Sequence, residues 1–112
     1  MDRPDDLVLL GVAQAGAAVS ITDPSGQLVY GNDAFTELFG WSADDEIHIS
    51  AVIPDEDRAW LASYTSRLVS GDEDEYRTLK RFVRRDGTSF NGSIVVRAIR
   101  ERGRCVGLVS HV

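Results

Sequence analysis

The sequence predicts an α+β domain, and three of its features predict it. Two short strand-like runs flank the turn Asp23-Pro24-Ser25-Gly26, apolar residues recur at helical spacing through the middle, and strand-like runs separated by Gly-containing turns fill the last third. Strands clustered before and after a helical middle give an antiparallel sheet with segregated helices. At 112 residues the chain is one domain.

Taken in order, Asp5 and Asp6 precede Leu7, Val8, Leu9, Leu10, Val12 and Ala13, the pattern of a short amphipathic helix with acidic residues at its start. Residues 1–16 are thus expected to be a flanking helix and 17–112 the domain proper. Ala17, Val19 and Ile21 alternate with smaller or polar residues as a strand does. In the turn that follows, Asp23, Pro24 and Gly26 occupy the positions a type I turn prefers, and Gln27 to Tyr30 returns as the partner strand. Asn32 caps a helix whose apolar stripe is Ala34, Phe35, Leu38 and Phe39, with Gly40 as its left-handed terminus.

Ser42 to Asp45 reads as a capping box with Asp in place of Glu. A second helix is expected to begin near Pro54, with Asp55, Glu56 and Asp57 at its positive end and Trp60, Leu61, Tyr64 and Leu68 as its buried stripe. Strands over Tyr76 to Arg84, Thr88 to Ile99 and Arg104 to Val112 follow, turned by Arg85-Asp86-Gly87 and Glu101-Arg102-Gly103. In the middle strand, Ile94, Val95, Val96, Ala98 and Ile99 are apolar on both alternating faces, which predicts cover on both sides.

Composition excludes several classes of function. A net charge of -6 argues against nucleic acid, which needs cations gathered on one face. The same acidity suits a halophile or an ordinary soluble domain. Cys105 is the one cysteine, so neither an internal disulfide nor a Cys-rich zinc site can form within the chain. The apolar run Leu7 to Val19 is too short to span a bilayer, which points to a cytoplasmic domain without direct membrane contact. No phosphate loop, zinc motif or dinucleotide fingerprint is present, so the sequence gives no support to catalysis.

Six segments in series carry a resemblance: Ile21 to Gly26, Val29 to Phe35, Leu38 to Ser42, Val52 to Arg58, Lys80 to Gly87 and Val106 to Val109. In this order and spacing they resemble a PAS domain over nearly the whole chain. The resemblance implies a five-stranded antiparallel sheet with helices packed on one face and a flanking N-terminal helix. It also implies a sensory module that dimerises through the sheet and its flanking helix. Members commonly continue into an Asp-Ile-Thr type segment, and this chain ends at Val112 before one. The expected parent is therefore a longer prokaryotic sensor with an output domain, such as a histidine kinase or a transcriptional regulator.

The helical middle borders a small-molecule pocket in that family, so Phe35, Phe39, Trp41, His48, Trp60, Tyr64 and Asn91 are the candidate ligand contacts. Trp60 and Tyr64, one turn apart, could stack on an aromatic ligand, although aromatic stripes at helical spacing are mostly core. Leu7, Leu10, Val95 and Ile99 are the candidate interface. A haem would need a His on the helix after Pro54, and Pro54 to Ser70 holds none. A light-sensing cysteinyl-flavin adduct would need a Cys in the helical middle, whereas Cys105 begins the last strand. No cofactor is therefore assigned. Ligand sensing and ligand-free dimerisation or protein interaction stand as alternatives.

Overall fold

The computed structural model describes residues 17–112. The expected helix at residues 7–13, with Leu7 and Leu10, lies outside the described residues. The described elements are strands β1 (Val19–Thr22) and β2 (Leu28–Gly31), helix α1 (Asp33–Phe39), three 3-10 turns (Ala43–Asp45, Ile49–Val52 and Asp55–Asp57), helix α2 (Arg58–Ser70), and strands β3 (Glu75–Val83), β4 (Ser89–Glu101) and β5 (Arg104–His111). The strands form one antiparallel sheet in the order β2-β1-β5-β4-β3, with the first and last strands of the chain side by side at its centre.

Local chemistry accounts for each boundary. Asp23 Oδ1 accepts from Ser25 N, Ser25 Oγ and Gln27 N, which closes the β1–β2 turn. Asn32 caps α1 by accepting from Phe35 N at 2.9 Å, and the same oxygen accepts from Val19 N. Its amide donates to the Ala17 carbonyl at 2.8 Å, so one side chain ties α1 to β1. The capping box at Ser42 forms with Asp45, but the turn it opens is 3-10 and a single turn long. Pro54 precedes another 3-10 turn, so α2 itself begins at Arg58 and not at Pro54. In the β4–β5 turn, Arg102 and Gly103 both have positive φ, as a type I′ hairpin requires.

α1, the 3-10 turns and α2 cover one face of the sheet. Phe35, Phe39, Val52, Ile53, Leu68, Phe82, Ile94, Val96 and Leu108 are buried between the layers. Phe39 is the hub of an aromatic group, with Phe35 at 4.8 Å, Phe90 at 5.5 Å and Phe82 at 5.6 Å between centroids. The alternation that identifies β1 does not reveal which half faces inward. The small residues Ala18, Ser20 and Thr22 face the helices, and the register Val19–His111–Val95 puts Val19, Ile21 and Val95 on the outer face. Ile94, Val95 and Val96 are all buried, although Ile94 and Val96 point to one face and Val95 to the other.

Candidate functional site

Between the sheet and the helical layer lies a cavity of about 50 Å³. The helical layer contributes Phe35 and Phe39 of α1, Ile49, Val52 and Ile53 of the connecting segment, and Leu61 and Thr65 of α2. The sheet contributes Ala18, Ser20, Thr22, Tyr76, Lys80, Phe82, Ile94, Val96, Leu108, Ser110 and Val112. The walls are mostly hydrocarbon and aromatic, with a few hydroxyls set into the central strands.

Those hydroxyls come from both ends of the chain. Ser20 and Ser110 are register partners across β1 and β5, and their Oγ atoms are 2.6 Å apart. Thr22 lies two residues further along β1, and its buried Oγ1 has no hydrogen-bond partner. Thr65 approaches from α2 and also lines a surface groove of about 470 Å³ formed by Pro24 to Gly26, His48 to Ser50, Arg58 and α2. Ile49, Leu61 and Thr65 are common to both, so these three side chains partition cavity from groove.

At the β3 edge, a second group of side chains surrounds Lys80. Its side chain is only 7% exposed, and its ammonium sits 3.7 Å from the Trp60 ring centroid and 3.6 Å from Asp57 Oδ2. Trp60, Tyr64 and Tyr76 are mutually packed, with centroids 4.6, 4.8 and 5.7 Å apart. Burial, then the repulsion of Tyr64, pushes the Tyr76 phenol up to about 12. At the far turn, the hydroxyl of Ser25 and then the backbone N–H of Gln27 hold the Asp23 carboxyl below its ordinary range.

The candidate residues divide between these environments. Phe35 and Phe39 line the cavity; Trp60 and Tyr64 do not, and instead form the aromatic wall around Lys80. Trp41 packs beneath the Arg85 guanidinium at 4.5 Å, with its buried Nε1 unpaired. His48 is exposed and belongs to the groove, where its ring bonds Ser50 and, through Nε2 at 2.8 Å, the Ser25 carbonyl. Asn91 is paired with Arg81 and exposed on the outer face, on the far side of the sheet from the cavity. Sequence reasoning missed Ser20, Thr22, Thr65 and Ser110. The available signal was the run of small and polar residues on alternate positions of β1.

On the outer face, Val19 and Val95 are buried, Ile21, Ile99 and Val109 half-buried, and Tyr30 and Leu79 exposed. Cys105 bonds the Gly107 carbonyl through Sγ at 3.3 Å and does not line the cavity. Among the described residues no cluster of three or more His, Cys, Asp or Glu could hold a metal, and no helix is long and apolar enough to cross a membrane.

The fold is shared with solved sensory-domain structures at low identity. A PAS domain from Colwellia psychrerythraea matches with TM-score 0.76 at 20% identity, over 93% of each chain. A domain of the sensory box sensor histidine kinase/response regulator of Geobacter sulfurreducens matches with TM-score 0.75 at 15% identity, over 96% of this chain and 91% of that one. A light-oxygen-voltage domain studied with a flavin analogue matches with TM-score 0.77 at 20% identity, over 99% of this chain and 84% of that one. Comparison with curated proteins finds no significant sequence match. The family model described as the PAS fold matches residues 9–111, and the chain belongs to the PAS family.

Proposed function

We propose that this domain is a sensory module in which a small molecule, held in the cavity behind β1 and β5, biases how the outer face of the same strands packs against a neighbour. The observation that carries the reading is the alternation within those central strands. Ser20 and Thr22 line the cavity, while Val19 and Ile21, one residue away on the same backbone, are on the apolar outer face. A shift of β1 or β5 on ligand binding therefore moves both surfaces together. The size of the response is limited by the ligand's differential affinity for the two arrangements.

The neighbour on the outer face is a second copy of the chain, with Val95 and Ile99 in the contact and residues 1–16 as the flanking segment. The output domain belongs to a longer parent, and the histidine-kinase domain among the structural neighbours supports that reading. The domain itself is a binding and relay device without catalytic chemistry.

The cavity as described fits neither haem nor a cysteinyl-flavin. At about 50 Å³ it is well below the roughly 300–1,000 Å³ of sites for drug-sized ligands, and no His or Cys among the described residues lines it. The small volume also favours a second reading, a ligand-free PAS domain used only for dimerisation or protein interaction. Native mass spectrometry separates the two. The sensory reading expects a dimer with a small added mass that is lost on denaturation. A bare dimer that also binds no small molecule on titration supports the second reading, and a bare monomer contradicts the dimer in both.

A further inference from the structure

We propose that the cavity takes a small uncharged carbonyl compound, of the size of acetone, whose oxygen accepts hydrogen bonds from the Ser20–Ser110 pair and from Thr22. This deepens the sensory reading and rests on it. The argument is a count of donors. Three of the hydroxyls lining the mostly apolar cavity, those of Ser20, Thr22 and Ser110, lie together on two neighbouring strands, apart from Thr65 on α2 and from Tyr76 and Lys80 on β3. Ser20 and Ser110 are 2.6 Å apart, so the pair uses one of its two O–H groups on itself and has the other left over. Thr22 Oγ1 is buried without any partner. Two O–H donors are thus unspent among the described residues, in a place where an unmet polar group is costly.

One sp² oxygen, with two lone pairs, answers both. Ser20 and Thr22 are two residues apart on one face of β1, so their Cα atoms are separated by about 6.6 Å. Two O–H···O bonds of about 2.7–2.8 Å placed end to end cover most of that distance. The rest of the ligand meets the apolar walls of Val52, Ile53, Leu61 and Leu108. The volume of about 50 Å³ restricts the ligand to a few heavy atoms, since a cavity of about 150 Å³ is what holds benzene.

The hydroxyl group also sets the charge. Among the described residues the only cation lining the cavity is Lys80, on β3, and β5 and β4 stand between β3 and β1. At about 4.8 Å per strand the separation is roughly 14 Å across the sheet, and the Lys80 ammonium is directed at Trp60 and Asp57. A carboxylate at Ser20 and Thr22 would therefore be buried without a counter-ion, at high cost.

The test titrates the 112-residue chain with acetone, with acetate as its charged counterpart and with xenon as an apolar probe of the void, followed by NMR. Acetone is expected to bind at millimolar affinity and acetate more weakly. Thr22→Val, which keeps the side-chain shape, should weaken acetone about 2- to 10-fold and leave xenon unchanged, whereas Ser110→Ala, which frees the Ser20 O–H, should weaken it less than Thr22→Val. Xenon binding without acetone binding would mean that the hydroxyls hold water, and would overturn this inference while leaving the sensory reading intact. Binding of neither probe would overturn both. Tighter binding of acetate, or acetone affinity indifferent to Thr22→Val, would overturn the assignment of class or of contact.

Discussion

Asn32 shows how much of this fold rests on single side chains. Its Oδ1 accepts from Val19 N and Phe35 N, and its Nδ2 donates to the Ala17 carbonyl. Asn32→Ala removes a helix cap and two inter-element bonds, and should destabilise the domain by about 2–4 kcal/mol in denaturant titration. Asn32→Asp keeps the acceptors but turns a carboxylate towards the Ala17 carbonyl, so it should fall between the two. Equal stability of Asn32→Ala and wild type would remove Asn32 from this role. Tyr76 offers a pH readout at the same scale. Its folded pKa is raised from 10.0 to about 12, because burial disfavours the phenolate. Its contribution to stability is therefore full below pH 10 and is lost as pH rises towards 12. Absorbance titration should show a late tyrosine ionisation, and Tyr76→Phe should delete that step.

Among the elements, α1 is held at both ends, and its C-terminus is where glycine's freedom matters. Gly40 has φ 82 and donates to the Thr36 carbonyl at 2.8 Å. The β3–β4 turn docks there: Arg85 N donates to the Phe39 carbonyl, and Arg84 Nε donates to that of Leu38. A Cβ at Gly40 would meet Arg85 Cβ at 3.0 Å, whereas Gly71, ending α2 with φ 94, has nothing within 4 Å. Gly71→Ala should cost about 1–2 kcal/mol for the left-handed backbone alone, and Gly40→Ala should cost more by thermal or denaturant unfolding. Equal losses would mean that the docked turn yields freely. Much of this level was legible in the sequence, because turns and caps depend on neighbours: Asp23, Asn32, Gly40 and Asp86-Gly87 announce their own geometry. The N-terminus of α2 was less legible, since Pro54 is compatible with either a 3-10 or an α-helical first turn.

For the whole molecule, the cavity was the least legible feature, for a physical reason. Ser20 and Ser110 lie 90 residues apart and meet only because the first and last strands pair at the centre of the sheet. The chain's local pattern identifies β1 as a strand, but its inward face is decided by the helices packed over it. Asn91 is a polar residue of the expected strand, yet its register opposite Arg81 places it outside. Phe35 and Phe39 were readable as residues of the cavity wall because their helical stripe must face the core whatever the sheet does. Trp60 and Tyr64 obey the same rule, but Lys80 and Tyr76 intercept them at the β3 edge. The architecture that results has one thin sheet between a small polar-spotted cavity and an apolar outer face.

That arrangement makes coupling between the two faces the central claim, and an amide chemical-shift map of the chain across an acetone titration tests it most directly. Shifts are expected at Ser20, Thr22 and Ser110 and extend to the outward residues Val19, Ile21, Val109 and His111. Shifts confined to the groove around Pro24, His48 and Arg58, or changes inside that leave every outward residue unmoved, would contradict it.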